Sequence, residues 1–317
     1  MSKRVLLLGA TGSIGRAVAQ TLTTAGHEVI ALGRAGADAA PGVTSRTCDF
    51  ADPASVREHG FGGPQIDAVI SCMASRTGAP ADAWAVDYQA HLNVLRAAQR
   101  AGTGQFIVLS AICVQKPKLA FQQAKLTFED ALIGSGLTWS IVRPTAYFKS
   151  LAGQVARVQA GKPYLLFGDG RLTACKPISD DDLAAYIASC LSDTGLQNRI
   201  LPIGGPGPAL TPLEMGEELF RLTGQPAKYR HVPVAIMDAI IGGLSLIGRF
   251  SPKAAAKAEL ARIGRYYATE SMLVWDQHAS RYDADATPEF GSETLFEYYR
   301  QVIAGEATVE RGDHAVF

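Results

Sequence analysis

The sequence predicts an α/β fold, a doubly wound parallel sheet with a smaller, mainly helical C-terminal region. Three observations predict it. Short apolar runs alternate with amphipathic stretches of helical length through the first half of the chain. Those runs are continuously apolar, as strands are when helices cover both faces of the sheet. A glycine-rich turn, Gly9-Ala10-Thr11-Gly12-Ser13-Ile14-Gly15, joins the first run to the first helical stretch, the arrangement of a Rossmann-type unit.

Taken in order, strands are expected at residues 4–8, 28–32, 45–48, 68–72, 105–110 and 138–143, with helices at 14–25, 84–101 and 121–135. Gly26, Gly102, Gly136 and Pro144 punctuate them. After Pro144 the texture changes. Residues 164–167 and 172–175 flank Gly168-Asp169-Gly170 and read as a hairpin. Ser179 and the run Asp180-Asp181-Asp182 cap a helix to about residue 191, placing carboxylates at the positive end of its dipole. Residues 200–203 suit a last strand returning to the sheet, and helices are expected at 211–223, 234–249 and 251–267. Residues 1–160, with a returning segment near 176–206, form the expected first region; 161–175 and 207–317 form the second.

Bulk properties narrow the function. The 317 residues are 47% hydrophobic, ample for a buried core. Lys plus Arg and Asp plus Glu both number 30, and a net charge of zero excludes a general nucleic-acid binder. The five cysteines, Cys48, Cys72, Cys113, Cys175 and Cys190, are scattered, with no C-x-x-C pair. They read as reduced thiols of a cytoplasmic protein and offer no zinc or iron–sulfur ligand set. Met-Ser-Lys-Arg runs straight into Val5-Leu6-Leu7-Leu8, a strand too short for a leader's apolar core. The longest apolar segment, 232–247, is broken by Pro233, Asp238 and Gly242-Gly243 and falls short of the roughly 20 apolar residues a membrane span needs. A buried helix is the default expectation for it, and a helix lying on a bilayer surface the alternative.

The glycine turn carries the first chemistry. Gly9 permits a tight turn, Gly12 lets backbone approach a pyrophosphate seated on the helix N-terminus, and Gly15 lets helix and strand pack closely. Thr11, Ser13 and Ile14 complete the loop. The spacing G-x-x-G-x-x-G is that of short-chain dehydrogenase relatives. The second strand ends Ala31-Leu32-Gly33-Arg34. Where an NAD enzyme carries an acid for the ribose hydroxyls, this chain has Arg34, whose guanidinium suits a 2′-phosphate. NADPH is therefore the expected cofactor, with Arg16 assisting, Asp49 reaching the adenine edge, and Ser71 and Cys72 bordering the cofactor. Pro144 and Thr145 sit where backbone passes the nicotinamide amide.

Short-chain carbonyl reductases use Tyr-x-x-x-Lys, the phenol protonating the substrate oxygen while the lysine holds the ribose. Here the pattern reads Phe121-Gln122-Gln123-Ala124-Lys125. Lys125 is the candidate catalytic residue, but phenylalanine donates no proton. Either catalysis has been lost, or the substrate is an activated C=C bond with no oxygen to protonate.

Longer strings carry a specific resemblance. Residues 109–117 (LSAICVQKP) and 121–125 (FQQAK), then 167–179 (FGDGRLTACKPIS), 264–274 (GRYYATESMLV), 282–288 (YDADATP) and 291–296 (GSETLF) resemble the 3,8-divinyl (proto)chlorophyllide a 8-vinyl reductases. These form an NADPH-dependent, atypical branch of the short-chain dehydrogenase/reductases. The resemblance spans nearly the whole chain and includes the phenylalanine of the motif. It implies reduction of an 8-vinyl group to ethyl, with divinyl chlorophyllide or protochlorophyllide as substrate in (bacterio)chlorophyll biosynthesis. Hydride would enter the outer vinyl carbon, the charge would delocalise into the macrocycle, and a proton would go to the inner carbon. Tyr147, Phe148, Phe167, Tyr266 and Tyr267 are the aromatic residues expected to stack on the macrocycle. Tyr147, Cys113, a water and a substrate group stay open as proton donors. His231 and His278 are better read as ordinary histidines than as magnesium ligands. The absence of a transit peptide favours a bacterial source, and peripheral membrane contact is expected of a protein handling so apolar a substrate. The alternatives are a catalytically silent NADP-binding regulator or assembly factor, and a reductase of another conjugated alkene.

Overall fold

A computed structural model describes residues 2–34 and 42–309. In chain order its strands are β1 (Arg4–Leu8), β2 (Glu28–Gly33), β3 (Thr44–Thr47), β4 (Ala68–Ser71), β5 (Gln105–Leu109), β6 (Thr138–Pro144), β7 (Tyr164–Phe167), β8 (Arg199–Ile203), β9 (Tyr229–Val232), β10 (Val274–Asp276) and β11 (Arg281–Asp283). Seven of them form one sheet in the order β3-β2-β1-β4-β5-β6-β8. From β3 to β6 all neighbours pair parallel. The chain moves outward from β1 in one direction through β3, then restarts at β4 on the other side. The strand order therefore reverses between β1 and β4, where open α/β sheets place their ligands.

Val5, Leu6, Leu7 and Leu8 are all 0% exposed, so both faces of β1 are covered. On one face Leu6 and Leu8 join Ile30, Val69, Val94, Phe106 and Phe128 in a continuous core. On the other, the helix Ser13–Thr24 turns Val18 and Leu22 inward and packs against the helix Asp180–Ser189. Each such side chain contributes about 1.5–3 kcal/mol of burial.

The chain clusters into two compact units. The first comprises residues up to Ser75, Pro80–Pro144 and Asp180–Pro202; the second comprises Arg76–Ala79, Thr145–Ser179 and the remainder from Ile203. Residues 145–160, expected in the first region, thus cluster with the second. Backbone pairing explains the early boundary: the Thr145 N–H donates to Ile203 O at 3.0 Å, and Tyr147 bridges Ile178.

Three local expectations are corrected. Residues 164–167 and 172–175 do not form a hairpin: β7 pairs parallel with β9, and Cys175 exchanges both backbone hydrogen bonds with Leu210. Long-range packing overrides the turn signal, because Tyr164 is buried edge-on against Tyr229 at 6.4 Å between ring centroids. The helix expected over 84–101 starts earlier, with an α-helical turn at Pro80–Ala83, and passes through a π-helix, Trp84–Ala90, before continuing as an α-helix, His91–Arg100. The third correction concerns the helix Val234–Gly248, which buries no side chain: Ile236, Ile240, Leu246 and Ile247 are 48–62% exposed, and Phe250 just beyond is 90% exposed. It lies along the helix Pro252–Thr269, held by an Asp238–Arg265 ion pair and a 2.7 Å Arg262–Ser245 hydrogen bond. Among the described residues no helix is long and apolar enough to cross a membrane.

Candidate functional site

Because β1 to β6 run parallel, the residues after each of them gather at one edge of the sheet. Gly9 through Gly15 come after β1, Arg34 after β2, Asp49 after β3, Cys72 after β4, and Ser110 after β5. Pro144 ends β6 and Ser71 ends β4.

The glycine turn has the shape a dinucleotide needs. Gly9 has φ +76°, and a Cβ there would lie 2.6 Å from the Cys72 carbonyl carbon. A Cβ on Gly15 would stand 2.0 Å from Gly9 O, so any side chain there would push the helix off the strand. Gly12 precedes the helix Ser13–Thr24 with extended backbone and no side-chain cap. Thr11 and Gly12 are exposed, Ser13 half-buried and Ile14 buried. The N-terminus of the helix is therefore presented to an incoming anion by backbone that carries no bulk. Arg16 donates to Thr11 O at 2.5 Å and stiffens the loop. On these observations a nucleotide pyrophosphate fits.

Farther along the edge, Arg34 is exposed, and Cys48 is tied back to Gly33 by a 2.9 Å backbone hydrogen bond. Asp49, also exposed, caps Ala51 through one carboxylate oxygen at 2.9 Å. Burial pushes the Cys72 thiol up to about 12, so it stays neutral. Thr145 is buried: its hydroxyl donates to Lys176 O and its N–H to Ile203 O.

Lys125 stands in the helix Ala120–Ile133, one turn after the half-buried Phe121. Its Nζ lies 3.1 Å from Asp87 Oδ1, a carboxylate that is 0% exposed. The Ser75 N–H donates to the same oxygen at 3.3 Å. Burial opposes the charge on Asp87, but Lys125 and Ser75 outweigh it and hold the carboxyl below its ordinary value. Beside it His91 is buried with Nδ1 2.8 Å from Val86 O and Nε2 2.8 Å from Ser71 Oγ. A carbonyl only accepts, so Nδ1 carries the proton and Nε2 accepts from the Ser71 hydroxyl. Burial, then the Lys125 charge, lowers the His91 pKa to about 4, which keeps the ring neutral.

A second network lies next to the first. Ser110 donates to Glu129 Oε1 at 2.5 Å, and Arg143 pairs with the same carboxylate through Nε and Nη2. The Ser110 proton is thereby committed to Glu129. A cavity of about 10 Å³, the space of one water molecule, lies among Asp87, His91, Ser110, Lys125 and Glu129. Asp87, His91, Glu129 and Arg143 escaped the sequence reading. The one local signal was an acid and a histidine four apart, at 87 and 91, in the stretch after the fourth strand.

The aromatic residues expected to meet the substrate belong to the second unit and divide by exposure. Phe148 and Tyr266 are 5% and 4% exposed, Tyr147 and Phe167 are half-buried, and Tyr267 is 39% exposed. Tyr266 meets Tyr267 edge-on at 5.8 Å, and Phe148 packs on Tyr298 at 5.6 Å. His231 Nδ1 lies 2.7 Å from Gly168 O. Among the described residues no cluster of His, Cys, Asp and Glu could hold a metal ion.

Comparison with known proteins agrees with this geometry. Residues 9–194 match a family model described as NAD(P)H-binding. The fold is shared with an NADPH-dependent quinone oxidoreductase from Escherichia coli, solved in complex with NADPH. The TM-score is 0.68 at 20% identity, over 94% of this chain and 99% of that one. A divinyl chlorophyllide a 8-vinyl-reductase of Oryza sativa is 48% identical over 99% of this chain and 82% of its own length. The corresponding Arabidopsis thaliana protein is 45% identical over 98% and 79%. Both are chloroplastic by name. Identity of that order along the whole chain, on an NAD(P)H-binding sheet, places the chain in the divinyl chlorophyllide a 8-vinyl-reductase family.

Proposed function

We propose that this chain reduces the 8-vinyl group of divinyl chlorophyllide, or of its protochlorophyllide counterpart, to ethyl in chlorophyll biosynthesis, with NADPH as reductant. The observation that carries the reading is Phe121 one turn before a retained, ion-paired Lys125. A carbonyl reductase needs an acid at position 121 for the oxyanion it forms; reduction of a C=C bond forms none, so a ring without a hydroxyl suffices. The engagement of Ser110 with Glu129 points the same way, since that hydroxyl has no carbonyl to polarise. NADPH, when bound, supplies a hydride for the conjugated vinyl group.

The chain's own residues bind and orient. Gly9, Thr11, Gly12, Ser13, Ile14 and Gly15 take the pyrophosphate on the helix N-terminus. Arg34 pairs with the 2′-phosphate and Asp49 meets the adenine. Ser71 and Cys72 wall the cofactor, Lys125 holds the ribose, and the backbone of Pro144 and Thr145 meets the carboxamide. In this reading the first unit carries the nucleotide and the second the tetrapyrrole, with Tyr147, Phe167 and Tyr267 offering ring surface and Phe148 and Tyr266 backing them. The exposed helix Val234–Gly248 provides peripheral contact with the membranes into which such a substrate partitions.

The test is spectroscopic. Purified protein incubated with NADPH and divinyl chlorophyllide should shift the Soret band to the blue as vinyl becomes ethyl. A preparation that binds NADPH yet leaves the band in place would overturn the reading in favour of a silent nucleotide-binding protein.

A further inference from the structure

A lysine ammonium that is only 12% exposed needs a partner charge to be held in one place. Three acidic or basic groups in the neighbourhood are already engaged or neutral. Glu129, one turn beyond Lys125 on the same helix, is taken by Ser110 and Arg143. Arg143 is committed to that carboxylate, and His91 is held neutral between Val86 O and Ser71. Asp87 is different. It is fully buried, its Oδ1 faces Lys125 Nζ, and its Oδ2 has no hydrogen-bond partner. Its backbone setting is also unusual. It sits in the π-helical segment Trp84–Ala90, which packs directly on the helix carrying Lys125. π-helical turns are rare and occur frequently at functional sites.

We propose that Asp87 is a positioning residue for Lys125, keeping the ammonium aimed so that the lysine can hold the nucleotide ribose. The inference rests on the reading of Lys125 as a ribose ligand and adds the group through which that ligand is set. Asp87 itself touches neither substrate nor cofactor. The two residues then act as one unit, so removing either disables both.

A double-mutant cycle on NADPH affinity, read by fluorescence titration of the full chain without substrate, tests this. Asp87→Asn preserves the shape and the Ser75 hydrogen bond while deleting the charge. Lys125→Ala and Asp87→Asn should each weaken NADPH binding about tenfold, as loss of a charged hydrogen bond does. The double variant should be no more than about twofold weaker than Lys125→Ala alone, because coupled residues do not add. Asp87→Glu, which keeps the charge, should recover most of the affinity. A purely structural Asp87 would lower the melting temperature and leave NADPH affinity in place. Asp87→Asn binding like wild type, losses that multiply in the double variant, or Asp87→Glu as weak as Asp87→Asn would each overturn the proposal. Lys125→Ala binding normally would instead bring down the reading of Lys125 itself, and the two failures are distinguishable. Should Asp87→Asn fail to fold, the Asp87→Glu titration still decides.

Discussion

His91 shows how a single buried side chain ties the site to the stability of the molecule. In the fold its pKa is lowered to about 4, by burial first and by the Lys125 charge second, from an ordinary value of 6.5. Above 6.5 the ring is neutral in both states, and its contribution to stability is complete. As pH falls from 6.5 toward about 4, the unfolded chain takes up a proton that the folded chain refuses, so stability declines by about 1.4 kcal/mol per pH unit. Asp87, with its carboxyl held below the ordinary range, adds a loss in the same direction at lower pH still. His91→Gln keeps hydrogen-bonding capacity without a titrating group and should flatten the decline above pH 4. Urea unfolding at several pH values would measure it, and an equal slope in wild type and variant would reject the assignment. Neither His91 nor Asp87 was legible as a site residue, because what defines each is a partner on another element: Ser71 on β4, and Lys125 on the helix after β5. The glycines, Arg34 and Lys125 could be named as candidates, because the chemistry proposed for them is read from local spacing and from the ends of strands.

Elements were read well where the signal is local. The helix Pro212–Thr223 begins at Thr211, whose hydroxyl accepts from the Glu214 N–H while the Glu214 carboxylate accepts from the Thr211 N–H, and it ends on Gly224 at φ +64°. They were misread where a distant partner decides: the partner of β7 arrives from β9, and the π turn at Trp84–Ala90 carries no sequence mark. Val234–Gly248 is the instructive case, since an apolar run of that length reads as core. It is instead half-buried on one face and exposed on the other, and residues 239–258 carry Arg249, Lys253 and Lys257 with no acid between Asp238 and Glu259. Apolar side chains such as Ile240, Leu246, Ile247 and Phe250 gain about 1.5–3 kcal/mol each if fully buried, and each nearby cation about 1 kcal/mol at an anionic surface. That combination suits a negatively charged bilayer surface. The protein should float with liposomes containing anionic lipid, float less with neutral ones, and lose most of its binding on Ile247→Ser with Phe250→Ser. Ile247 and Phe250 are 58% and 90% exposed, so the fold should be little affected. Complete recovery in the soluble fraction with anionic liposomes would rule the contact out.

At the scale of the whole molecule, the nucleotide-binding match ends at residue 194, whereas the reductase relatives match 98–99% of the chain. Similarity therefore extends through the second unit, which a protein kept only to bind nucleotide would have no cause to preserve. The sequence reading put the change of region at residue 160, although the texture already changes after Pro144. The backbone places it at Thr145, whose pairing with Ile203 opens the second unit. If the units divide the work as proposed, two exposed residues should separate it kinetically. On that reading Arg34, beyond β2, serves only the nucleotide: Arg34→Asp should weaken NADPH binding by about 1.5–3 kcal/mol, remove the expected preference over NADH, and leave the KM for divinyl chlorophyllide at saturating cofactor near its starting value. Tyr267 offers a ring face with 39% of the residue exposed. Tyr267→Ser should raise that KM about three- to tenfold, the scale of one aromatic contact, with no change in NADPH affinity. Both side chains are exposed, so neither loss has to pass through unfolding. Parallel movement of the two constants in either variant would mean that nucleotide and tetrapyrrole are not recognised by separate units.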